Sequence, residues 1–434
     1  MSATPGPNLA AHGFRENEYA VSGVAARFET SGDRELTEVG KDTFTTRILV
    51  RRPIDDARFN GTVVVEWLNV SSGSDAAADY TYLAEELVRG GFAWVGVSAQ
   101  YTGITGGPGS VGGLDTPSPT GPAAKDPERY TGLHHPGDAY CYDIFGTVGA
   151  ALRTVGADHP LAGLTVRRSL AVGESQSAMA LTTYANLFAG YHRVHDGILI
   201  HSRAAAGMSL GEVGRGIDID QVFDAEPTTI RTDLDIPVFI VQTETDVLTN
   251  FRFHLSRQPD TDRIRVWEIA GTSHADLHQI GPYEDMLGCP TPVNRGQQRF
   301  VLRAALHHLD AWAAGRSQPP SAPPLELDLS GATPQFVVDD IGNARGGVRT
   351  PCVEAPSQVL SGVVGGEVSR ICLLFGSTTP AAPEALAARY TDPSEYLRRY
   401  GEATDLAIAA GFVLADDREE LLADARPDLI GPDR

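Results

Sequence analysis

Three residues in this chain have the types, and the order along the sequence, that acyl transfer demands. They are Ser175 in "GESQS", an acid in "VQTETDVL" and His274 in "AGTSHADLH". A serine hydroxyl is a weak nucleophile until a neighbouring base takes its proton. A histidine is the best such base when a carboxylate fixes its tautomer and stabilises the imidazolium. Ser175 is therefore expected to attack, and His274 to accept its proton and pass it to the leaving group. The acid is Asp246 or Glu244. Asp246 is preferred because it lies further beyond Gln242, where the chain has cleared the sheet edge, and Glu244 stays open as its rival. Charge developing on the substrate oxygen needs two aimed N–H donors. One is expected from the backbone of Gln176 and the other from the segment "EWLNVSSGSD", at Val70 or Asn69. A serine at a strand-to-helix junction can also be a mere helix cap, so the elements that carry these residues must decide.

Eight short apolar runs supply those elements. Tyr19–Phe28 and Phe44–Arg51 read as an antiparallel hairpin joined by the polar "TSGDRELTEVGKD". The others are Gly61–Asn69, Phe92–Gln100, "SLAVG" ending at Gly173, Asp196–Ser202, Ile236–Gln242 and Ile264–Ala270. From the third run onward they are continuously apolar and alternate mostly with helical patterns, as parallel strands covered on both faces do. Helices are expected over Ala78–Arg89, Tyr142–Val155 and Gln297–Gly315. Ser175 then follows the fifth strand, the acids the seventh and His274 the eighth. That is the layout of an α/β-hydrolase fold: an eight-stranded, mostly parallel sheet with helices on both faces. The turn at the nucleophile needs small residues two before and two after it. Gly173 supplies the first and Ser177 the second, a departure from G-x-S-x-G.

Two segments interrupt the alternation, 101–137 and the lid-like 203–235. After the linker-like "RSQPPSAPP" a mixed tail carries helical patterns near Pro383–Arg389, Pro393–Ala410 and Asp417–Ala425. The expected organisation is a catalytic core over 1–318 with those two insertions, and a C-terminal extension over 319–434 packed on it.

The stretches "GESQSA", "VVVEWLNVSSG", "HHPGDAYCYDIFG", "HSR", "VQTETD", "AGTSHAD" and "DDIGNARGGVRTPCVEAP" together resemble a family of large bacterial alpha/beta hydrolase domain proteins. The resemblance runs from the third strand to the C-terminal helices. It implies the hydrolase fold, a Ser175–acid–His274 triad and a tail integral to the fold. It also implies that Ser177 in the elbow is a family feature.

Composition narrows the partners. Lys and Arg number 35 against 56 Asp and Glu, a net charge of −21, which argues against nucleic acid or an anionic membrane. No signal-peptide pattern and no apolar run of spanning length is visible, so the expected location is the cytoplasm. In that compartment Cys141, Cys289, Cys352 and Cys372, which include no C-x-x-C pair, read as buried thiols; export would make Cys352 and Cys372 a possible pair. "HHPGD" (His134, His135, Asp138) has no zinc-like partner cluster and reads as packing of the long loop. His278 reads as a surface residue. His201 and Arg203 stay outside the catalytic set, Arg203 as a pocket residue or an anchor for an acid of the lid. The expectation is a serine hydrolase acting on a carboxylic ester or lactone through an acyl-enzyme intermediate, with no cofactor and no metal. An acyltransferase using the same residues and a non-catalytic binding protein on the same scaffold are the alternatives. Oligomeric state is not legible.

Overall fold

The strand residues Val63, Val65 and Trp67 belong to one buried cluster, and Val64 between them to another, so this strand is covered on both faces. The same division recurs at Ile198 and Ile200 against Leu199, and at Val238 and Ile240 against Phe239 and Val241. The structure, a computed structural model, describes residues 6–31, 35–110, 121–154, 156 and 159–431. Its main sheet has eight strands: β1 (Phe14–Thr30), β2 (Leu36–Pro53), β3 (Thr62–Trp67), β4 (Ala93–Val97), β5 (Arg168–Glu174), β6 (Gly197–His201), β7 (Val238–Thr243) and β8 (Ile264–Ile269). They lie in the order β1-β2-β4-β3-β5-β6-β7-β8. β1 pairs antiparallel with β2, and β2 with β4; every other neighbouring pair in this sheet is parallel. This is the α/β-hydrolase fold expected from the sequence.

Helices that bear on the site are α1 (Ala78–Arg89), α2 (Cys141–Ala151), α3 (Gln176–Thr183), α4 (Asp220–Asp224), α5 (Glu244–Leu248), α6 (Gln298–Ala313), α7 (Arg370–Phe375) and α8 (Pro393–Ala409). Leu83 and Leu87 of α1 join Leu302, Leu306 and Leu309 of α6 in the cluster on one face of the sheet. Phe145 and Val148 of α2, with Met179 and Leu181 of α3, fill the cluster on the other. Burial of such side chains is worth roughly 1.5–3 kcal/mol each, which is why continuous apolar runs settle in the centre of the sheet.

The hairpin is longer than its apolar runs. Residues 36–42, expected within a turn, pair with β1 as far as Leu36 opposite Thr30. Many residues of these arms face solvent, so polar side chains serve there and hydrophobic alternation gives no signal. Of the long interruption at 101–137, residues 111–120 lie outside the described residues, as does Val155 at the expected end of α2. Among the tail helices, Pro383–Arg389 is found as expected, and α8 ends one residue early. The last is shorter, at Arg418–Ala423.

The tail packs on the sheet layer through several contacts. Phe300 of α6 shares a cluster with Ala407, Val413 and Leu421. Asp417 receives hydrogen bonds from Arg303 of α6 and Arg89 of α1 at 2.9 and 2.7 Å. The cysteines depart from expectation. Cys289 and Cys372 form a disulfide, while Cys141 is buried and free and Cys352 half-buried and free. Cys372 is brought to Cys289 because α7 folds back beside the loop that carries His274. No spacing rule links residues so far apart in sequence, and the bridge removes the cysteine argument for a reducing compartment. No helix among the described residues is long and apolar enough to cross a membrane.

Candidate active site

β5 ends at Glu174, and α3 begins at Gln176. Ser175 between them has φ 60° and ψ −118°, a backbone conformation that costs a non-glycine residue of order 1–3 kcal/mol. The surroundings enforce it. Ser175 N–H donates to His201 C=O at 2.9 Å, tying the turn to β6. A Cβ on Gly173 would stand 3.0 Å from the Ser177 backbone carbon and Cβ and 2.9 Å from Leu181 Cδ1. Strand and helix therefore close on each other only with glycine at 173 and a small residue at 177.

The other two expected residues meet Ser175 there. His274 Nε2 lies 2.8 Å from Ser175 Oγ, and His274 Nδ1 lies 2.7 Å from Asp246 Oδ1. An ionised carboxylate only accepts, so Nδ1 carries the proton and Nε2 is left to accept from the serine hydroxyl. Asp246 is fixed in turn. Its Oδ2 accepts from Thr243 N–H and Thr243 Oγ1–H, both at 2.7 Å, in the capping box that opens α5. Burial alone would lower the His274 pKa, but the Asp246 carboxylate and, to a lesser degree, Glu174 hold it above the ordinary histidine value. The Phe251 ring packs 4.5 Å from the imidazole, centre to centre.

Glu244 does not touch His274. Its Oε1 accepts from Gly271 N–H at 2.5 Å and its Oε2 from Gly362 N–H at 2.8 Å. It is a strut between the loop that carries His274 and the C-terminal tail, and burial raises its pKa to about 7. The oxyanion candidates separate as cleanly. Asn69 N–H is committed to Ala76 C=O at 2.9 Å. Val70 N–H instead faces the elbow and donates to the Gln176 side-chain Oε1 at 3.2 Å. Gln176 is the first residue of α3, where backbone N–H groups have no intrahelical acceptor.

Two features escaped sequence reading. Glu174 lies at the variable place of the elbow motif, and its Oε1 is 3.3 Å from His274 Nε2. Burial raises its pKa, while His274 and His201 pull the other way. His201 makes a second buried His–Asp pair, Nδ1 to Asp79 Oδ1 at 2.9 Å, beneath the first. A carboxylate beside a nucleophile was the available signal for Glu174; nothing in the sequence places α1 behind β6.

The second feature is the tail. Thr245 Oγ1 donates to Gly362 C=O at 2.6 Å and accepts from His274 N–H at 3.1 Å. Ala275 N–H donates to Leu374 C=O at 2.9 Å. The acid loop, the histidine loop and the tail are thus sewn together. Ser175 opens into a pocket of about 420 Å³ whose walls combine the elbow (Ser175, Met179), the 203–235 insertion (Ile219, Asp220, Phe223) and α7 (Arg370, Leu373, Leu374).

The remaining expectations resolve into structural roles. His135 Nε2 hydrogen-bonds Ala99 C=O and its Nδ1 accepts from Gly137 N–H, while Asp138 accepts from Gln100, Tyr101 and Ile217. Among the described residues no group of three or more His, Cys, Asp or Glu could hold a metal ion. Arg203 anchors the insertion, but through the carbonyls of Ala205 and Thr228 and not through an acid. His278 is half-buried against Thr81 C=O.

The family that the sequence matches agrees with this architecture. A family model described as "Alpha/beta hydrolase domain" matches residues 1–423. No curated relative matches the chain in sequence. Among solved structures, a fungal esterase from Rhizomucor miehei is 11% identical, with a TM-score of 0.36 over 70% of this chain and 88% of its own. A putative dienelactone hydrolase from Klebsiella pneumoniae is 13% identical, with a TM-score of 0.33 over 68% of this chain and 99% of its own. Est1E from Butyrivibrio proteoclasticus is 10% identical, with a TM-score of 0.33 over 66% of this chain and 99% of its own.

Proposed function

The chain belongs to the alpha/beta hydrolase domain family, and on that premise we propose that it is a serine-dependent hydrolase of small carboxylic esters or lactones. The observation that carries the reading is the continuous Asp246–His274–Ser175 hydrogen-bond chain at a strained elbow facing a pocket. In this reading Ser175 Oγ attacks the ester carbonyl as His274 Nε2 takes its proton, with Asp246 holding the tautomer and stabilising the imidazolium. The tetrahedral oxyanion lies between Gln176 N–H and Val70 N–H, and it displaces the Gln176 side-chain oxygen from the latter. His274 then protonates the departing alkoxide. An acyl group stays on Ser175, and a water molecule activated by the same histidine releases it.

Glu174 adds a second carboxylate close to Nε2, so the imidazolium formed at each transition state has an anion on either side. No metal or cofactor enters this scheme, and the partner is a small molecule; neither nucleic acid nor a membrane is invoked. The test is rapid-mixing hydrolysis of p-nitrophenyl butyrate by wild type, Ser175→Ala and His274→Ala. A stoichiometric burst of p-nitrophenolate in wild type, absent from both variants, is expected. Turnover that survives Ser175→Ala would overturn the reading.

A further inference from the structure

The Ser175 pocket is apolar along most of its wall, through Met179, Ile219, Phe223, Phe251, Leu373 and Leu374. Among the described residues, Arg370 is its one lining cation and Asp220 its one lining carboxylate. A guanidinium in such a wall needs a reason. Arg370 stands on α7 and reaches across to the lid, where its Nη2 donates to Asp220 Oδ1 at 2.8 Å and its charge lies 5.4 Å from the centre of the Phe223 ring. That single hydrogen bond uses a small part of the five-donor fork. The pair is also open, with 35% of the Arg370 and 62% of the Asp220 side chain exposed. Exposed pairs of this kind are weak, so Asp220 is an exchangeable partner.

From this arrangement, and resting on the serine-hydrolase reading above, we infer that the preferred substrate is an apolar ester or lactone bearing a carboxylate remote from the scissile bond. That carboxylate takes the Arg370 fork in place of Asp220. The reacting carbonyl sits at Ser175, the six apolar side chains cover the connecting hydrocarbon, and the carboxylate pairs with Arg370 at the wall shared by lid and tail. A planar carboxylate accepts two parallel N–H bonds from guanidinium, a match that Asp220, giving one oxygen, does not complete. The protein's overall negative charge repels such substrates at long range. The selectivity therefore belongs to a contact and is best read at about 0.15 M salt, where the screening length is about 8 Å.

The experiment compares p-nitrophenyl monoesters of adipic, pimelic and suberic acids, each carrying a free terminal carboxylate, with their methyl-capped neutral counterparts. For wild type, kcat/KM is expected to favour the free acid by about tenfold or more at the best chain length, most of it in KM. Arg370→Gln is expected to abolish that preference, bringing the ratio of free-acid to capped-ester kcat/KM down to about one or below, whatever the change in the capped series itself. Asp220→Asn, which removes the competing carboxylate and keeps Arg370, is expected to enlarge the preference. The inference is overturned if wild type prefers the capped esters, or if Arg370→Gln lowers both series equally. A wild type that hydrolyses capped esters alone refutes the carboxylate preference but leaves the hydrolase reading standing. Failure on every ester, charged and capped, refutes both.

Discussion

Replacing Asp246 by Asn separates the carboxylate proposed for the triad from its neighbour in an unusually direct way, because the structure dictates how the new amide must turn. Asp246 Oδ2 is held by two donors, the backbone N–H and the hydroxyl of Thr243. The asparagine carbonyl must take that place, since an NH2 group there would face an N–H. The amide NH2 is then driven toward His274 Nδ1, where a carboxylate oxygen now lies at 2.7 Å. An NH2 group only donates, so Nδ1 becomes the acceptor, Nε2 carries the proton and Ser175 loses its base. In triads where this reversal is imposed the loss is about 10⁴ in kcat, or ~5.5 kcal/mol of barrier. The cap on α5 survives, so the fold should too. Glu244→Gln provides the contrast. It sets an NH2 against a backbone N–H of Gly271 or Gly362 and costs about 1–3 kcal/mol of stability, with kcat within about tenfold of wild type. The assay is steady-state hydrolysis of p-nitrophenyl butyrate at the wild-type optimum, with circular dichroism to verify folding. A folded Asp246→Asn within tenfold of wild type, or a larger kcat loss in Glu244→Gln, would refute this assignment of the acid.

Other outcomes follow from the same geometry. Glu174→Gln removes one of the carboxylates that raise the His274 pKa, so the acid limb of kcat/KM, where the base protonates, should move to lower pH; an unmoved limb would contradict the 3.3 Å contact. Glu244 has its pKa raised from 4.5 to about 7 in the folded state, so the native state holds that proton more tightly. Stability should therefore fall as pH rises between those values, by ~3 kcal/mol from this group. Urea midpoints at about pH 5 and about pH 8 should show a drop that Glu244→Gln lessens; parallel drops would remove Glu244 as the cause. Gly362→Ala would set a Cβ 2.4 Å from Thr272 C=O and 2.6 Å from Thr245 N, so Tm should fall, by about 1–3 kcal/mol in stability, and kcat with it. Unchanged values for both would mean that the tail does not brace the histidine loop.

The sequence was most informative where a single physical constraint acts locally. Continuous apolar runs announce strands buried on both faces, and the order of Ser175, Asp246 and His274 at three strand ends follows from strand succession. Between Asp246 and Glu244 the sequence offered only a preference for the residue further beyond the sheet edge. Both are buried carboxylates on one short helix, and only the Thr243 cap and the Gly271 and Gly362 amides reveal which one turns toward the imidazole. The tail's part in the site was legible even less, because α7 reaches the pocket through backbone hydrogen bonds and a disulfide that leave no periodic trace. Glu174 stood in plain view beside the nucleophile, but its relation to His274 needs the elbow's backbone to be known. Residues 36–42 failed for the opposite reason: strands with solvent-facing side chains carry no hydrophobic signal.

The most direct test of the central claim is covalent. Wild-type protein would be treated with a fluorophosphonate, digested, and the modified peptide sequenced by tandem mass spectrometry, with Ser175→Ala and His274→Ala in parallel. A single adduct on Ser175, slowed strongly by His274→Ala and absent from Ser175→Ala, is the expected result. A folded wild type that takes no label, or takes it on another residue, would contradict the claim that Ser175 is an activated nucleophile.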